Sequence, residues 1–383
     1  MKHCALAQIC KYFVDSYLDG YLLSMDSLSV EQYDSAEQEA ISELPNVVIE
    51  AFQPVAFHQV GYPTRIRRES ELVKYIEVLH YNRFEKDYST LLEGLTEKEF
   101  SLLRHLTSLV SVFSESQFGR KVLARSSLLR MINILRHIKY IWGDARPRVF
   151  EIGPGNGYLG AMLMLEGYPY AATDISQAFY LYQNHLWNFI SNSINNNLVE
   201  AVYPQKEQLF DNLLLPGNVI HIPWWEYVRL KDQKLPYFDI VTCNHALCEM
   251  QYRSLRFNLI IAKRMLREEY LSESLLFKAF PKAFVFEGSG AQLIHKLTNV
   301  INLFLSLGYV MLYNDEFITI LVKGDNECLS NSVYQKIVEG RQHHQDSTKV
   351  NIDDVNSFYT ELIGSEEHLS PDELFFKFVQ GTE

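Results

Sequence analysis

The 383-residue sequence has few cysteines, and the five that it contains are scattered along the chain. They are Cys4, Cys10, Cys243, Cys248 and Cys328. This spacing fits neither a disulfide framework nor a zinc ribbon, and it is typical of a protein from a reducing compartment. The sequence also lacks an apolar run of the roughly 18–20 residues that a membrane-spanning helix needs. The first residues show no small-residue cleavage site of a signal peptide. We therefore expect a cytoplasmic protein without a membrane partner.

Basic residues are in deficit, because 35 Lys and Arg stand against 47 Asp and Glu, which gives a net charge of −12. Such a surface repels nucleic acids on average, so a nucleic-acid partner is not expected. Residues 120–148 depart from this average, with eight Lys or Arg and a single acid, Asp144. Apolar residues at helical spacing in the same stretch predict an amphipathic helix with a solvated basic face. A site for an anionic acceptor or for RNA is the alternative interpretation.

The pattern of apolar residues changes at about residue 145. Residues 1–145 predict mainly helices, one of which follows a capping box formed by Thr96 and Glu99. Residues 146–323 alternate helical segments with short strand-like runs, which read RVFEIG, YAATDI, NVIHIP, FDIVTCN and AFVFEG. The run YVMLYNDEFITILVKG then predicts a final antiparallel hairpin. Together these patterns predict an α/β fold with a mostly parallel sheet and an antiparallel last strand. Residues 324–383 are expected to form a helical or partly disordered tail.

The sharpest motif is the glycine-rich segment VFEIGPGNGYLG, which passes from a strand through a loop into a helix. Asp174 ends the next strand about 20 residues later, where a carboxylate binds the hydroxyls of a ribose. Taken from Gly155, the loop fits the dinucleotide fingerprint G-x-G-x-x-G. Taken from Glu151, it fits E-x-G-x-G-x-G, the loop of S-adenosylmethionine-dependent methyltransferases. A glycine turn without a ligand is the third interpretation. The buried Glu151 favours the methyltransferase loop, since an unpaired carboxylate is costly and a methionine ammonium would pair with it.

The loop and the final hairpin resemble those of class I S-adenosylmethionine-dependent methyltransferases over residues 146–323. The segments EIGPGNGYLG, DISQAFYLYQ and VIHIPWW are also similar to bacterial sugar O-methyltransferases. The resemblance implies a Rossmann-like methyltransferase sheet that binds S-adenosylmethionine, with an N-terminal helical region covering the acceptor site. It implies cofactor contacts for Glu151, Gly153, Gly155, Gly157, Asp174, Ile175, Trp224 and Asn244. Among these, Ile175 would lie beside the adenine, and Trp224 or Trp225 would either stack on it or pack in the core.

The end of the fourth predicted strand, where this class places its acceptors, reads FDIVTCNHALCEM. Methyltransferases that act on amino groups typically carry Asn/Asp-Pro-Pro-Tyr here, and this chain has neither the proline nor the tyrosine. A hydroxyl acceptor needs a base, so His245 is the candidate general base, with a structural role as its alternative. Glu249 would orient or charge-pair His245 if the chain is helical between them. Glu287, at the end of the fifth predicted strand, is a candidate for binding a sugar hydroxyl.

These features predict an S-adenosylmethionine-dependent O-methyltransferase that acts on a sugar, a nucleotide sugar or another small polar acceptor. Since the sequence shows no dense carboxylate cluster after the fourth strand, no metal is expected. Two alternatives stay open: methylation of RNA or protein by the same fold, and a non-catalytic binding platform. The sequence is compatible with a homodimer and does not decide the oligomeric state.

Overall fold

The structure, a computed structural model, describes most of the chain between residues 27 and 363. The described ranges are 27–54, 63–73, 94–119, 121, 124, 126–194, 196–202, 218–232, 238–266, 282–287, 293–315, 317–324 and 327–363. The predicted end of the tail, 364–383, lies outside them, as do Cys4 and Cys10.

In the part of the chain that the structure describes, eight strands form one sheet. They are β1 Val149–Ile152, β2 Tyr170–Asp174, β3 Leu198–Glu200, β4 Val219–Pro223, β5 Ile240–Thr242, β6 Ala283–Glu287, β7 Tyr309–Asn314 and β8 Ile318–Lys323. The order is β3-β4-β2-β1-β5-β6-β8-β7. Only β8 runs antiparallel to its neighbours, β6 and β7, and the other pairs are parallel. The predicted fold class, an α/β fold with a mostly parallel sheet and an antiparallel last strand, is confirmed. The sequence did not predict the short edge strand β3.

The strand order reverses between β1 and β5, because the chain first builds outward from β1 to β3 and then returns to the other side. In such sheets, ligands bind in the crevice beyond the carboxyl ends of the strands at the reversal. Strands β1, β2, β5 and β6 all end at this edge. The topology therefore brings the glycine loop, Asp174, His245 and Glu287 to one side of the sheet.

Helices cover both faces of the sheet. They are α1 Val30–Glu43, α2 Asn46–Ala51, α3 Glu97–Phe118, α4 Ser126–Trp142, α5 Tyr158–Leu165, α6 Gln177–Ser193, α7 Trp224–Arg229, α8 Tyr252–Met265, α9 Leu297–Ser306, α10 Glu327–Asp346 and α11 Ile352–Ile363. The predicted capping box begins α3: the Thr96 hydroxyl accepts from the Glu99 N–H, and the Glu99 carboxylate accepts from the Thr96 N–H at 2.8 Å. None of the helices in the described ranges combines the length and apolar character needed to cross a bilayer.

Five basic residues of the 120–148 region each lie against an acid. The pairs are Lys121–Glu115, Arg130–Glu287, Arg136–Glu99, Lys139–Glu166 and Arg148–Asp239. Arg130 is 4% exposed, on the same helix as the predicted buried apolar stripe. The expected solvated basic face is therefore wrong for Arg130, which is buried, whereas Lys121 and Arg146 are exposed. Arg120 and Arg125 lie outside the described residues.

The described part of the tail folds back onto the N-terminal helices, with α10 against α4 and α11 against α3. Glu99 lies at this junction and pairs with Arg136 of α4 and His344 of α10. Burial raises the pKa of Glu99, but hydrogen bonds and charge from His344 and Arg136 outweigh it and lower the pKa to about 2. The division at residues 145 and 323 stays a prediction.

Candidate active site

The glycine loop between β1 and α5 has a backbone that only glycine adopts without strain. Gly153, Gly155 and Gly157 have φ angles of +67°, +58° and +73°. A Cβ atom on Gly153 would lie 3.0 Å from the Ala246 side chain, and one on Gly157 would lie 3.0 Å from the indole of Trp187. Both the left-handed conformation and the close approach therefore require glycine. The contact with Ala246 places the loop directly beside the chain segment that follows β5.

Four N–H groups of the loop and of the first turn of α5 are already bonded within the chain. The bonds run from Gly153 to Thr173 O at 2.8 Å, from Gly155 to Asp174 Oδ2 at 3.3 Å, from Gly157 to Pro154 O at 2.9 Å and from Tyr158 to Asn156 Oδ1 at 3.2 Å. A pyrophosphate needs such groups free at a helix N-terminus. Since the carboxylates of Glu151 and Asp174 also flank the loop, the site favours a cationic ligand over a dinucleotide.

Glu151 is buried at the end of β1 and is held by two donors. The Tyr170 hydroxyl donates to it at 2.6 Å and the Asn244 side-chain amide donates at 3.0 Å. The expectation that this carboxylate lacks a partner in the protein is therefore wrong, because β2 and the end of β5 each supply one. Burial raises the pKa of Glu151; the two hydrogen bonds lower it, the charge of Asp174 raises it, and it lies at about 7. A nearby cation would favour the ionised form.

Asp174 is buried at the end of β2 and accepts three hydrogen bonds. The donors are the Ser176 N–H to Oδ1 at 2.9 Å, and the Gln183 amide at 2.8 Å and the Gly155 N–H at 3.3 Å, both to Oδ2. Burial raises the pKa of Asp174, and these hydrogen bonds only partly oppose it. A carboxylate offers about four acceptor positions. The described donors therefore occupy three of these positions, and binding of a ribose by Asp174 stays a prediction.

His245 follows β5 and has a φ of +67°, the only left-handed non-glycine residue among those described. Its N–H donates to the Glu287 backbone carbonyl at 3.0 Å, and its Nε2 lies 2.8 Å from Glu287 Oε2. The ring is 25% exposed, whereas Glu287 is 2% exposed. A left-handed conformation costs such a residue about 1–2 kcal/mol, and strain of this kind concentrates at functional sites. The geometry holds one imidazole nitrogen against a carboxylate and leaves the ring open to solvent.

Glu287 is in turn held by Arg130, whose Nε donates to Glu287 Oε1 at 2.7 Å. Burial raises the pKa of Glu287, but the charges and hydrogen bonds of His245 and Arg130 outweigh it, and the pKa lies below its ordinary value. The predicted helical link from His245 to Glu249 is not formed, because the helical turn begins only at Leu247 and is 3₁₀. The carboxylate that pairs with His245 is Glu287, and a role for Glu249 stays a prediction. Sequence reasoning missed Arg130 as the third member of this group.

The remaining predicted cofactor residues lie near the N-terminal helices. Trp224 donates to Glu37 Oε1 at 2.8 Å and stacks on Phe52, with ring centroids 6.0 Å apart. Trp225 is also buried. These contacts correspond to the core-packing alternative, and stacking on an adenine stays a prediction. Ile175 is half-buried directly after Asp174.

Within the described ranges, no group of three His, Cys, Asp or Glu side chains is arranged to hold a metal ion. Glu151, Asp174 and the glycine loop form a carboxylate-lined cradle at the reversal of the sheet. This donor set fits S-adenosylmethionine, which carries a cationic sulfonium, an ammonium and a ribose.

No protein-family model and no curated protein matches the sequence. Solved structures that resemble the chain include magnesium protoporphyrin IX methyltransferase from Synechocystis PCC 6803 with bound S-adenosylmethionine, at 12% identity and a TM-score of 0.27, covering 67% of this chain and 98% of that one. An O-methyltransferase from Bacillus cereus shares 11% identity at a TM-score of 0.30, covering 65% and 100%. The O-methyltransferase TomG from Streptomyces achromogenes shares 14% identity at a TM-score of 0.31, covering 64% and 97%. Likenesses this distant do not assign an activity.

Proposed function

We propose that the chain is an S-adenosylmethionine-dependent O-methyltransferase that acts on a hydroxyl of a small polar acceptor, a sugar or a nucleotide sugar. The observation that carries the proposal is the pairing of His245 with the buried Glu287 beside a carboxylate-lined glycine loop. An imidazole next to a methyl-donor site suits a hydroxyl acceptor, because the hydroxyl proton has to be removed near neutral pH.

The cofactor would be held by the residues that line the loop. Glu151, kept in place by Asn244, would face the ammonium and the sulfonium, and Gly153–Gly157 would let the methionine part approach the backbone. Asp174 would accept a ribose hydroxyl, with Ile175 beside the adenine. When bound, S-adenosylmethionine supplies a methyl carbon that its sulfonium activates for in-line displacement by the acceptor oxygen.

His245 would take the acceptor proton. Its Nε2 lies 2.8 Å from Glu287 Oε2, so Nδ1 would carry the basic lone pair. Glu287 stays ionised at neutral pH and stabilises the imidazolium that forms, while Arg130 balances the charge of Glu287. His245 would thus accept the hydroxyl proton as the acceptor oxygen bonds the methyl carbon and the carbon–sulfur bond breaks, which leaves the neutral thioether of S-adenosylhomocysteine.

The pairing of the basic residues in 120–148 supports a small acceptor over RNA. A phosphate backbone is bound by unpaired Lys and Arg side chains. Arg130 is buried on Glu287, and Arg136 and Arg148 each contact an acid. An RNA acceptor is therefore the weaker proposal.

Calorimetric titration tests the cofactor. Wild type and Asp174→Ala are titrated with S-adenosylmethionine, S-adenosylhomocysteine and NAD. Loss of a hydrogen bond to a charged, buried carboxylate is expected to weaken S-adenosyl binding by about 1.5–3 kcal/mol, on the order of ten- to a hundredfold. Binding of NAD alone contradicts the proposal, and binding of none of the three favours the non-catalytic platform.

Formation of S-adenosylhomocysteine over a panel of sugars and nucleotide sugars tests the base. His245→Ala is expected to lower turnover by about a hundredfold or more while cofactor binding persists. The exposed His105 of α3 provides the control substitution, His105→Ala, which should retain wild-type turnover. Turnover of His245→Ala within a few-fold of wild type would exclude His245 as the base.

A further inference from the structure

A chain of buried polar side chains, which we call the Gln183 relay, lies behind Asp174. It consists of Gln183 on α6, His221 on β4 and Glu200 on β3. The Gln183 side-chain amide donates to Asp174 Oδ2 at 2.8 Å and to the Gly155 carbonyl at 2.7 Å. Its oxygen lies 3.1 Å from His221 Nε2, and His221 Nδ1 lies 3.1 Å from Glu200 Oε2. Gln183 and His221 are completely buried.

The orientation of the Gln183 amide follows from its neighbours. A backbone carbonyl can only accept, so the side-chain nitrogen of Gln183 has to face Gly155 O. The oxygen of Gln183 then faces His221, and His221 Nε2 must carry a hydrogen to be bonded. The amide is therefore locked with both of its N–H groups directed at the glycine loop and Asp174.

The far end of the relay is locked as well. Glu200 also accepts from the Tyr180 hydroxyl and from the Asn184 amide, at 2.8 Å for the latter. These two donors hold the Glu200 carboxyl group in place beside His221 Nδ1. His221 is further fixed by the ring of Tyr180, which stacks on it with centroids 3.6 Å apart and planes 11° from parallel. Rotation of Gln183 away from Asp174 would thus break bonds along the whole relay.

This fixed amide determines which oxygen of Asp174 is open to a ligand. Each carboxylate oxygen has about two acceptor positions. Oδ2 is filled by Gln183 and Gly155, whereas Oδ1 accepts only from the Ser176 N–H among the described residues. We infer that the Gln183 relay makes Asp174 an acceptor for a single ribose hydroxyl, so that only one of the two hydroxyls of the cofactor is recognised by this carboxylate. The inference rests on the proposed function.

Hydroxyl deletion in the ligand tests the inference directly. Wild type is titrated with S-adenosylhomocysteine and with its 2′-deoxy and 3′-deoxy analogues. One deletion is expected to weaken binding about tenfold or more, and the other less than about threefold, because one hydroxyl alone bonds the carboxylate. Equal sensitivity to both deletions overturns the inference. Failure of wild type to bind S-adenosylhomocysteine at all overturns the proposed function and the inference with it.

Variants show whether the relay causes the asymmetry. Gln183→Met keeps the volume but removes both donors, so the two deletions should then differ by less than about threefold. His221→Phe keeps the ring that stacks on Tyr180. It should also reduce the difference in affinity loss between the 2′-deoxy and 3′-deoxy analogues. Asp174→Ala should abolish the unequal effect of the two hydroxyl deletions. Asn258→Leu, which removes another buried amide, on α8, is the control and should keep the wild-type ratio. A full asymmetry in Gln183→Met shows that the relay is merely structural and overturns the inference.

Discussion

The buried carboxyl group of Glu151 offers the sharpest test of the site, through the change Glu151→Gln. Burial is the main cause that raises its pKa from 4.5 to about 7 in the folded protein. At about 1.4 kcal/mol per pKa unit, this gap corresponds to ~3 kcal/mol. The glutamine amide can accept from Asn244 and donate to the Tyr170 oxygen, so the substitution removes the ionisation and keeps both contacts, while the Tyr170 hydroxyl hydrogen loses its acceptor.

The sign follows from the direction of the pKa change. Below pH 4.5 the carboxyl group is protonated in both states, and its full contribution to stability is present. As the pH rises towards 7 the unfolded chain ionises first, so the wild type loses stability that Glu151→Gln keeps. We expect the free energy of unfolding of Glu151→Gln, relative to wild type, to rise by ~3 kcal/mol between pH 4.5 and pH 7.5. Urea titrations of both proteins over this range measure it.

The same group links ligand binding to pH. A cationic ammonium beside Glu151 lowers its pKa, so binding of S-adenosylhomocysteine near pH 6.5 should release a proton. Titrations in two buffers with different heats of ionisation measure that proton. Adenosine, which lacks the ammonium, is the matched ligand and should release none. A stability difference between Glu151→Gln and wild type that does not change with pH refutes the burial argument. Equal proton release with S-adenosylhomocysteine and with adenosine refutes the assignment of Glu151 to the methionine end.

Three further substitutions test the packing around the site. Glu287→Leu should lower the free energy of unfolding by about 3–5 kcal/mol, since the buried Arg130 loses the carboxylate that balances its charge, and adding Arg130→Leu should restore much of it in denaturant titrations. Glu99→Gln should lower the free energy of unfolding by ~3 kcal/mol at pH 7, because the pKa of Glu99 is lowered to about 2 in the folded protein. This loss should shrink as the pH falls from 4.5 towards 2, and a loss that stays constant with pH contradicts the assignment. Gly157→Ala should cost more than Gly119→Ala in thermal unfolding, because both have a left-handed φ but only the former meets a side chain at 3.0 Å; equal losses would show that the contact relaxes.

Local signals in the sequence predicted the main elements well. The capping box at Thr96 and the glycine loop act through neighbouring backbone atoms, so their consequences follow from a few adjacent residues. The strands with continuous apolar runs were predicted because both faces of a central parallel strand are buried. Strand β3 was not predicted, because it has only three residues and is half-buried at the edge of the sheet.

Side-chain partners within the site were predicted less well. The sequence suggested Glu249 for His245 by assuming a continuous helix, but the left-handed φ of His245 breaks that spacing. It also treated Glu151 as unpartnered, since Tyr170 and Asn244 come from other strands. Contacts of this kind depend on which strands are neighbours, and the sequence predicts that order only through a resemblance.

The amino-acid pattern alone predicts where the chain turns, which segments are buried, and that two carboxylates and a histidine lie at strand ends. Those properties are set by backbone conformation and apolar pattern within a few residues. Three contacts follow only from the folded chain. Glu287 pairs with His245 and also binds Arg130, which is 157 residues away in sequence. Gln183 donates to one oxygen of Asp174. The physical reason is that burial and charge act through space, and distances in space are fixed by the order and register of the sheet.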